Sequence, residues 1–123
     1  MSPIRILLVD DHALVRAGIR SLLQNVQGVE VVAESEDGRG ALELVRTHRP
    51  DVVLMDIAMP VMDGIEATKA IREEIPGTRV VVLTGSAANL DISRARSAGA
   101  SAYVTKDQIA GDLVRAILEA AAA

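Results

Sequence analysis

Apolar residues fall along this chain in two alternating rhythms. Runs such as Val80-Val81-Val82-Leu83 have no polar alternation, as expected of parallel strands covered on both faces. Strands are expected at residues 4–9, 29–34, 52–55, 79–83 and 102–105. Between them apolar positions recur at three- and four-residue steps: Leu14, Val15, Ile19, Leu22, Leu23 and Val26, and later Leu113, Val114, Ile117 and Leu118. That period predicts amphipathic helices. Asp37 precedes a helix carrying Ala41, Leu42 and Val45, and Asp63-Gly64 opens another carrying Ile65, Thr68 and Ile71. His48, just before Arg49-Pro50, reads as a helix end. The weakest helical pattern is 89–98, where the apolar face is mostly alanine. Five strands alternating with five helices predict an α/β fold, a doubly wound (βα)5 unit around a five-stranded parallel sheet. The order chosen is 2-1-3-4-5, that of flavodoxin-like folds.

At 123 residues the chain suits one domain over 1–123, large enough to bury roughly two-thirds of its unfolded surface. Half of it is hydrophobic, yet it has no Phe, no Trp and one Tyr, so Val, Leu, Ile, Ala and Met must build the core. Cysteine is absent, which excludes disulfides and thiolate metal sites. No apolar run approaches the ~18 residues of a membrane span and no signal peptide precedes Pro3, so a soluble, cytoplasmic protein without a membrane partner is expected. The net charge of −4, with acids and bases interspersed, argues against nucleic-acid binding by this chain itself.

The chemistry gathers at the strand ends. The first strand runs into Asp10-Asp11, the third into Asp56, the fourth into Thr84, and Lys106 follows the fifth. In a parallel sheet these ends share one edge, where open α/β sheets hold their ligands at the switch in strand order. Packed carboxylates need a cation: a pair at 4 Å repels by about 4 kcal/mol at an effective dielectric near 20. Hard oxygen ligands with no His or Cys select Mg²⁺ or a similar ion. A divalent ion and the Lys106 ammonium together cancel the charge of Asp10, Asp11 and Asp56. Asp56 could then attack phosphorus as a nucleophile, with Lys106 and Thr84 meeting the transferring oxygens.

Taken singly, each position has a plainer role. An Asp after a strand often caps the next helix, Thr84 could satisfy strand-end backbone, Lys106 could be solvated, and Tyr103 could be half-buried packing. His12 lies beside two acids, but imidazole suits Mg²⁺ poorly, so it is assigned no ligand role. Together the plain readings demand too many coincidences on one edge.

Four segments carry a resemblance: Val9-Asp10-Asp11-His12, the stretch from Met55-Asp56 through Met59-Pro60-Val61-Met62 to Asp63-Gly64, Leu83-Thr84, and the stretch from Gly99-Ala100 through Tyr103-Val104-Thr105 to Lys106-Asp107. In this order and spacing they resemble the receiver domain of two-component response regulators, specifically the NarL/FixJ-type branch. The resemblance implies that Asp56 is the phosphoacceptor, charged by a sensor histidine kinase. It also implies that Asp11, Asp56 and the backbone carbonyl of Ala58 bind Mg²⁺ directly, with Asp10 acting through water. Lys106 would contact the phosphoryl group, Thr84 would swing toward it, and Tyr103 would turn inward in response, coupling a charge change to a packing change. Homodimerisation on phosphorylation is a further implication.

Some positions depart from the family's commonest pattern. Asp107 stands where many receivers have proline, and Gly85 follows Thr84. Ala58 and Ser86 occupy positions that tune removal of the phosphoryl group by water; being short, they are expected to do little. Regulators of this branch usually carry a C-terminal helix-turn-helix domain, absent from this chain, which is then either an excised receiver or a stand-alone domain; DNA contact would come from such a second domain, not from these residues. Two competing readings are weighed. A Mg²⁺-dependent phosphohydrolase would need a general acid, and there is no second carboxylate two residues after Asp56 and no cap segment. A pseudo-receiver would not need Asp10, Asp11, Asp56, Thr84 and Lys106 together.

Overall fold

A computed structural model describes residues 2–59, 62–85 and 89–122, so Pro60, Val61 and Ser86 lie outside the described residues. Five strands, β1 (Ile4–Val9), β2 (Val29–Ser35), β3 (Val52–Asp56), β4 (Arg79–Thr84) and β5 (Ala102–Thr105), alternate with α1 (Ala13–Gln24), α2 (Gly38–His48), α3 (Gly64–Glu74), α4 (Asn89–Ser97) and α5 (Ile109–Ala122). All pairings are parallel, and the order is β2-β1-β3-β4-β5, the flavodoxin-like order chosen for the five alternating units. Strands β2, β3 and β4 each run one residue further than expected, so Asp56 and Thr84 are strand residues rather than the first residues of loops.

Successive strand residues face opposite sides of the sheet, and each side has its own core. Ile6, Leu8, Val52, Leu54, Val81 and Leu83 pack with Ile19 and Leu23 of α1 and Leu113 and Ile117 of α5. Leu7, Val9, Val53, Met55, Val80 and Val82 pack with Ala41 and Val45 of α2, Ala67 and Ile71 of α3, and Ala95 of α4. The unbroken apolar runs are thus explained by burial on both faces. Small residues on α2, α3 and α4 let these helices lie close without aromatic spacers.

Capping follows the expected residues. Asp37 accepts the Gly40 N–H at 2.7 Å and Asp63 accepts the Glu66 N–H at 2.9 Å, satisfying donors left over at the starts of α2 and α3. Helix α2 ends at His48, with Arg49 in the left-handed region at φ 48° before Pro50. Two periodic residues stay exposed, Leu14 at 88% and Leu118 at 47%. Leu14 lies in the first turn of α1, five and nine residues before the buried Ile19 and Leu23, so it points roughly 140° and 180° away from them around the helix. The uncertain segment is helical over Asn89–Ser97, burying Ala95. Lys106 opens a single 3₁₀ turn, Lys106–Gln108, between β5 and α5.

Candidate functional site

Asp56 is held by backbone on several sides. It pairs with Leu83 across β3 and β4, and the next N–H, of Ile57, donates to the Leu83 carbonyl at 3.0 Å. The chain then returns so closely that Gly64 N–H donates to the Ile57 carbonyl at 2.9 Å. A Cβ on Gly64 would lie 2.0 Å from the Asp56 carbonyl oxygen, which no side chain can occupy. Gly64 is therefore required by this close approach.

The side chains expected at the site do converge. Asp10 and Asp56 are buried, at 0% and 1% exposure. Lys106 Nζ bridges them, 3.2 Å from Asp10 Oδ2 and 3.2 Å from Asp56 Oδ1. Asp56 Oδ1 also accepts the Ala58 N–H at 3.2 Å. Its other oxygen, Oδ2, is buried without a hydrogen-bond partner, as are Asp11 Oδ1 and Asp10 Oδ2. Asp10 Oδ2 does have the ammonium nearby, but as an ion contact rather than an aligned hydrogen bond. Buried acceptors left unsatisfied are costly, and three of them in one acidic cluster fit a bound cation.

Electrostatics reflect the crowding. Burial, followed by repulsion from Asp10, pushes the Asp56 carboxyl above the usual carboxylate range, against the opposing pull of Lys106 and the Ala58 N–H. For Lys106 burial favours the neutral amine, but attraction to Asp56 and Asp10 outweighs it and leaves the ammonium more basic than usual. The pair is thus poised with Lys106 charged and Asp56 reluctant to be so.

Thr84 is buried at the end of β4 and aligned with Thr105 of β5. Tyr103 lies one pleat away, paired with Val82 and 39% exposed. It lines a cavity of about 200 Å³ between α4 and β5, with Ile92, Ala95 and Arg96. Ala58 is exposed beside the acidic cluster.

Two contributors were not foreseen. Arg16 donates to the Asp10 carbonyl at 2.6 Å, while its Nε sits 3.2 Å from Glu34, which also pairs with Arg20. His12, to which no role was assigned, brings Nδ1 to 3.1 Å from Asp11 Oδ1 and 3.4 Å from Asp10 Oδ1. Asp10, Asp11, His12 and Asp56 each offer a ligand atom, all within 4.8 Å of one another. Adjacency to two acids was the available signal for His12; for Arg16 there was only its place one turn into α1.

An acidic pocket at the switch point of a 2-1-3-4-5 sheet, with a lysine bridging two buried aspartates, defines a receiver-type domain. Residues 6–118 match the family described as the response regulator receiver domain, and the chain belongs to that family. It lies in the NarL/LuxR-type branch. Over 115 residues it is 39% identical to the response regulator protein VraR of Staphylococcus saprophyticus, covering 94% of this chain and 55% of VraR. It is 41% identical over 114 residues to the response regulator UvrY of Escherichia coli K12, covering 93% of this chain and 52% of UvrY. Among solved structures, the signal receiver domain of the response regulator NarL from Mycobacterium tuberculosis superposes with a TM-score of 0.94 at 35% identity, covering 99% of this chain and 98% of that one. The chain spans about half the length of the curated relatives it matches.

Proposed function

We propose that this domain is a phosphorylation switch in which Asp56 takes a phosphoryl group from the phosphohistidine of a sensor histidine kinase. The observation that carries the proposal is Asp56 Oδ2, a buried carboxylate oxygen with no hydrogen-bond partner, on a residue whose other oxygen is held by Lys106 and the Ala58 N–H. A nucleophile needs one lone pair free and the rest of the group fixed. Attack by Oδ2 forms the O–P bond as the P–N bond to the kinase imidazole breaks, and the departing imidazole takes up a proton.

Asp11, Asp56 and the Ala58 carbonyl are the residues that would hold Mg²⁺, with Asp10 acting through water. The ion, when bound, supplies positive charge for the transferring oxygens. Lys106, already between Asp10 and Asp56, meets another of these oxygens, and the Thr84 hydroxyl reaches a third. Movement of Thr84 along β4 then leaves room for Tyr103 to turn into the cavity beside α4, altering the α4, β5 and α5 face. Ala58 and Ser86 are too short to steer a hydrolytic water. We read residues 1–123 as the receiver portion of a longer cytoplasmic regulator that dimerises on phosphorylation and acts on transcription through a separate DNA-binding domain.

Intact mass after incubation with acetyl phosphate and Mg²⁺ tests the reading. One phosphoryl adduct that requires Mg²⁺ and is lost in Asp56→Asn is expected. An adduct that survives Asp56→Asn would refute the assignment of the acceptor.

A further inference from the structure

We propose that His12 is a further protein ligand of this centre for a borderline divalent ion of the Zn²⁺ class, so that the same pocket accepts softer metals than Mg²⁺. The inference rests on reading the acidic cluster as a divalent-metal site. His12 is the N-cap residue of α1, yet its side chain makes no capping hydrogen bond. Its backbone N–H instead donates to Asp10 Oδ1 at 2.9 Å, which folds the turn back over the carboxylates. The imidazole Nδ1 is thereby set 3.1 Å from Asp11 Oδ1 and 3.4 Å from Asp10 Oδ1.

Those separations are the edges of a coordination polyhedron. With metal–ligand bonds near 2.0–2.1 Å, neighbouring donors lie roughly 3.4 Å apart in a tetrahedron and about 3.0 Å apart in an octahedron. The widest pair among the four donors, within 4.8 Å, would close by up to roughly 1.4 Å to form a tetrahedral edge, or about 0.6 Å to sit trans in an octahedron. An independent observation points to a ligand: Asp56 Oδ2 accepts no hydrogen bond, on a residue 1% exposed. With its proton on Nε2, the imidazole offers Nδ1 as a donor.

Selectivity follows from the donor type. Mg²⁺ is satisfied by oxygen and water and gains little from imidazole, whereas Zn²⁺ binds nitrogen readily and climbs with each such ligand. His12 therefore separates the two ions. It leaves Mg²⁺ binding to the carboxylates and strengthens only the softer competitor, which then excludes Mg²⁺ from the shared oxygens.

Calorimetric titration of the intact chain with MgCl₂ alone and ZnCl₂ alone tests this, using wild type, His12→Ala, His12→Gln and His48→Ala. Both His12 variants are expected to lose roughly tenfold or more in Zn²⁺ affinity, a typical worth for one ligand-shell residue. Their Mg²⁺ affinity should change less than about twofold, since no Mg²⁺ ligand is removed. His48→Ala, the other of the two histidines, should match wild type for both ions. Imidazole NMR signals of His12 should shift with Zn²⁺ and stay put with Mg²⁺. Unchanged Zn²⁺ affinity in both His12 variants, with Mg²⁺ still binding, would overturn the His12 proposal and leave the Mg²⁺ reading intact. Failure of wild type to bind either ion would overturn both.

Discussion

Replacing the acceptor Asp56 with Asn should make the metal-free domain more stable. Asp56 shares its pocket with Asp10 and Asp11, with one oxygen of each within 4.8 Å of the others. At that distance each repulsion costs about 3.5 kcal/mol at an effective dielectric near 20. Against the two repulsions stands one attraction, to Lys106 at 3.2 Å, worth about 5 kcal/mol on the same basis. The balance leaves Asp56 unfavourable by about 2 kcal/mol, before any cost of burying its charge. Asn retains the carbonyl that receives the Ala58 N–H. Urea and thermal unfolding in EDTA at pH 7.5 should therefore show the variant more stable by about 2 kcal/mol, or roughly 5–10 °C for a domain of this size.

The pH dependence carries the same sign. The folded-state pKa of Asp56 is raised, so the native state holds its proton more tightly than the unfolded chain does. Its contribution to stability is most favourable below the unfolded pKa and is lost as pH rises through the folded one. The advantage of Asp56→Asn should thus shrink on acidification and reach its full size only above the raised pKa. Saturating Mg²⁺ should narrow it too, since an ion at 100 times its Kd stabilises wild type by about 2.7 kcal/mol. A variant equal to or weaker than wild type in EDTA at pH 7.5 would show that the Lys106 attraction dominates, and the charge balance drawn here would be wrong.

Lys106→Met removes the cation between two buried carboxylates; we expect the Asp56 titration, followed by ¹³C NMR, to move further up, and a downward or absent shift would contradict the bridging role. The same variant should lose phosphorylation by acetyl phosphate by roughly 100-fold or more, as expected on removing a preorganised charge. Gly64→Ala drives a Cβ into the Asp56 carbonyl and should cost about 3 kcal/mol or more in urea unfolding; a near-neutral result would mean the loop can yield. Asp63→Ala removes the cap on the Glu66 N–H and should cost about 1 kcal/mol without changing Mg²⁺ affinity by calorimetry.

The strands could be read from the chain because both faces of a parallel sheet are buried, and runs such as Val80-Val81-Val82-Leu83 admit few other placements; their order came from the flavodoxin-like arrangement of such units. The gathering of Asp10, Asp11, Asp56, Thr84 and Lys106 followed from strand ends alone, since topology puts them on one edge. Side-chain contacts made by turns were not legible. His12 was set aside on the chemistry of Mg²⁺, yet the turn after β1 aims its Nδ1 at two carboxylates. Arg16 reaches a backbone carbonyl, a partner that leaves no mark in residue types. Periodicity also overcounted: Leu14 is apolar and adjoins Val15, but it projects from the far side of α1 and is 88% exposed.

The aromatic poverty of the chain has an optical consequence. With no Trp, no Phe and one Tyr, all near-ultraviolet absorbance and emission come from a single ring, Tyr103, on β5 beside α4 and about two-fifths exposed. The domain thus contains its own site-specific spectrometer, free of background. Any change in dichroism near 275 nm, in tyrosine emission or in its quenching by iodide reports on one face of one strand and on nothing else. An event at Asp56 that leaves that signal untouched has not reached β5.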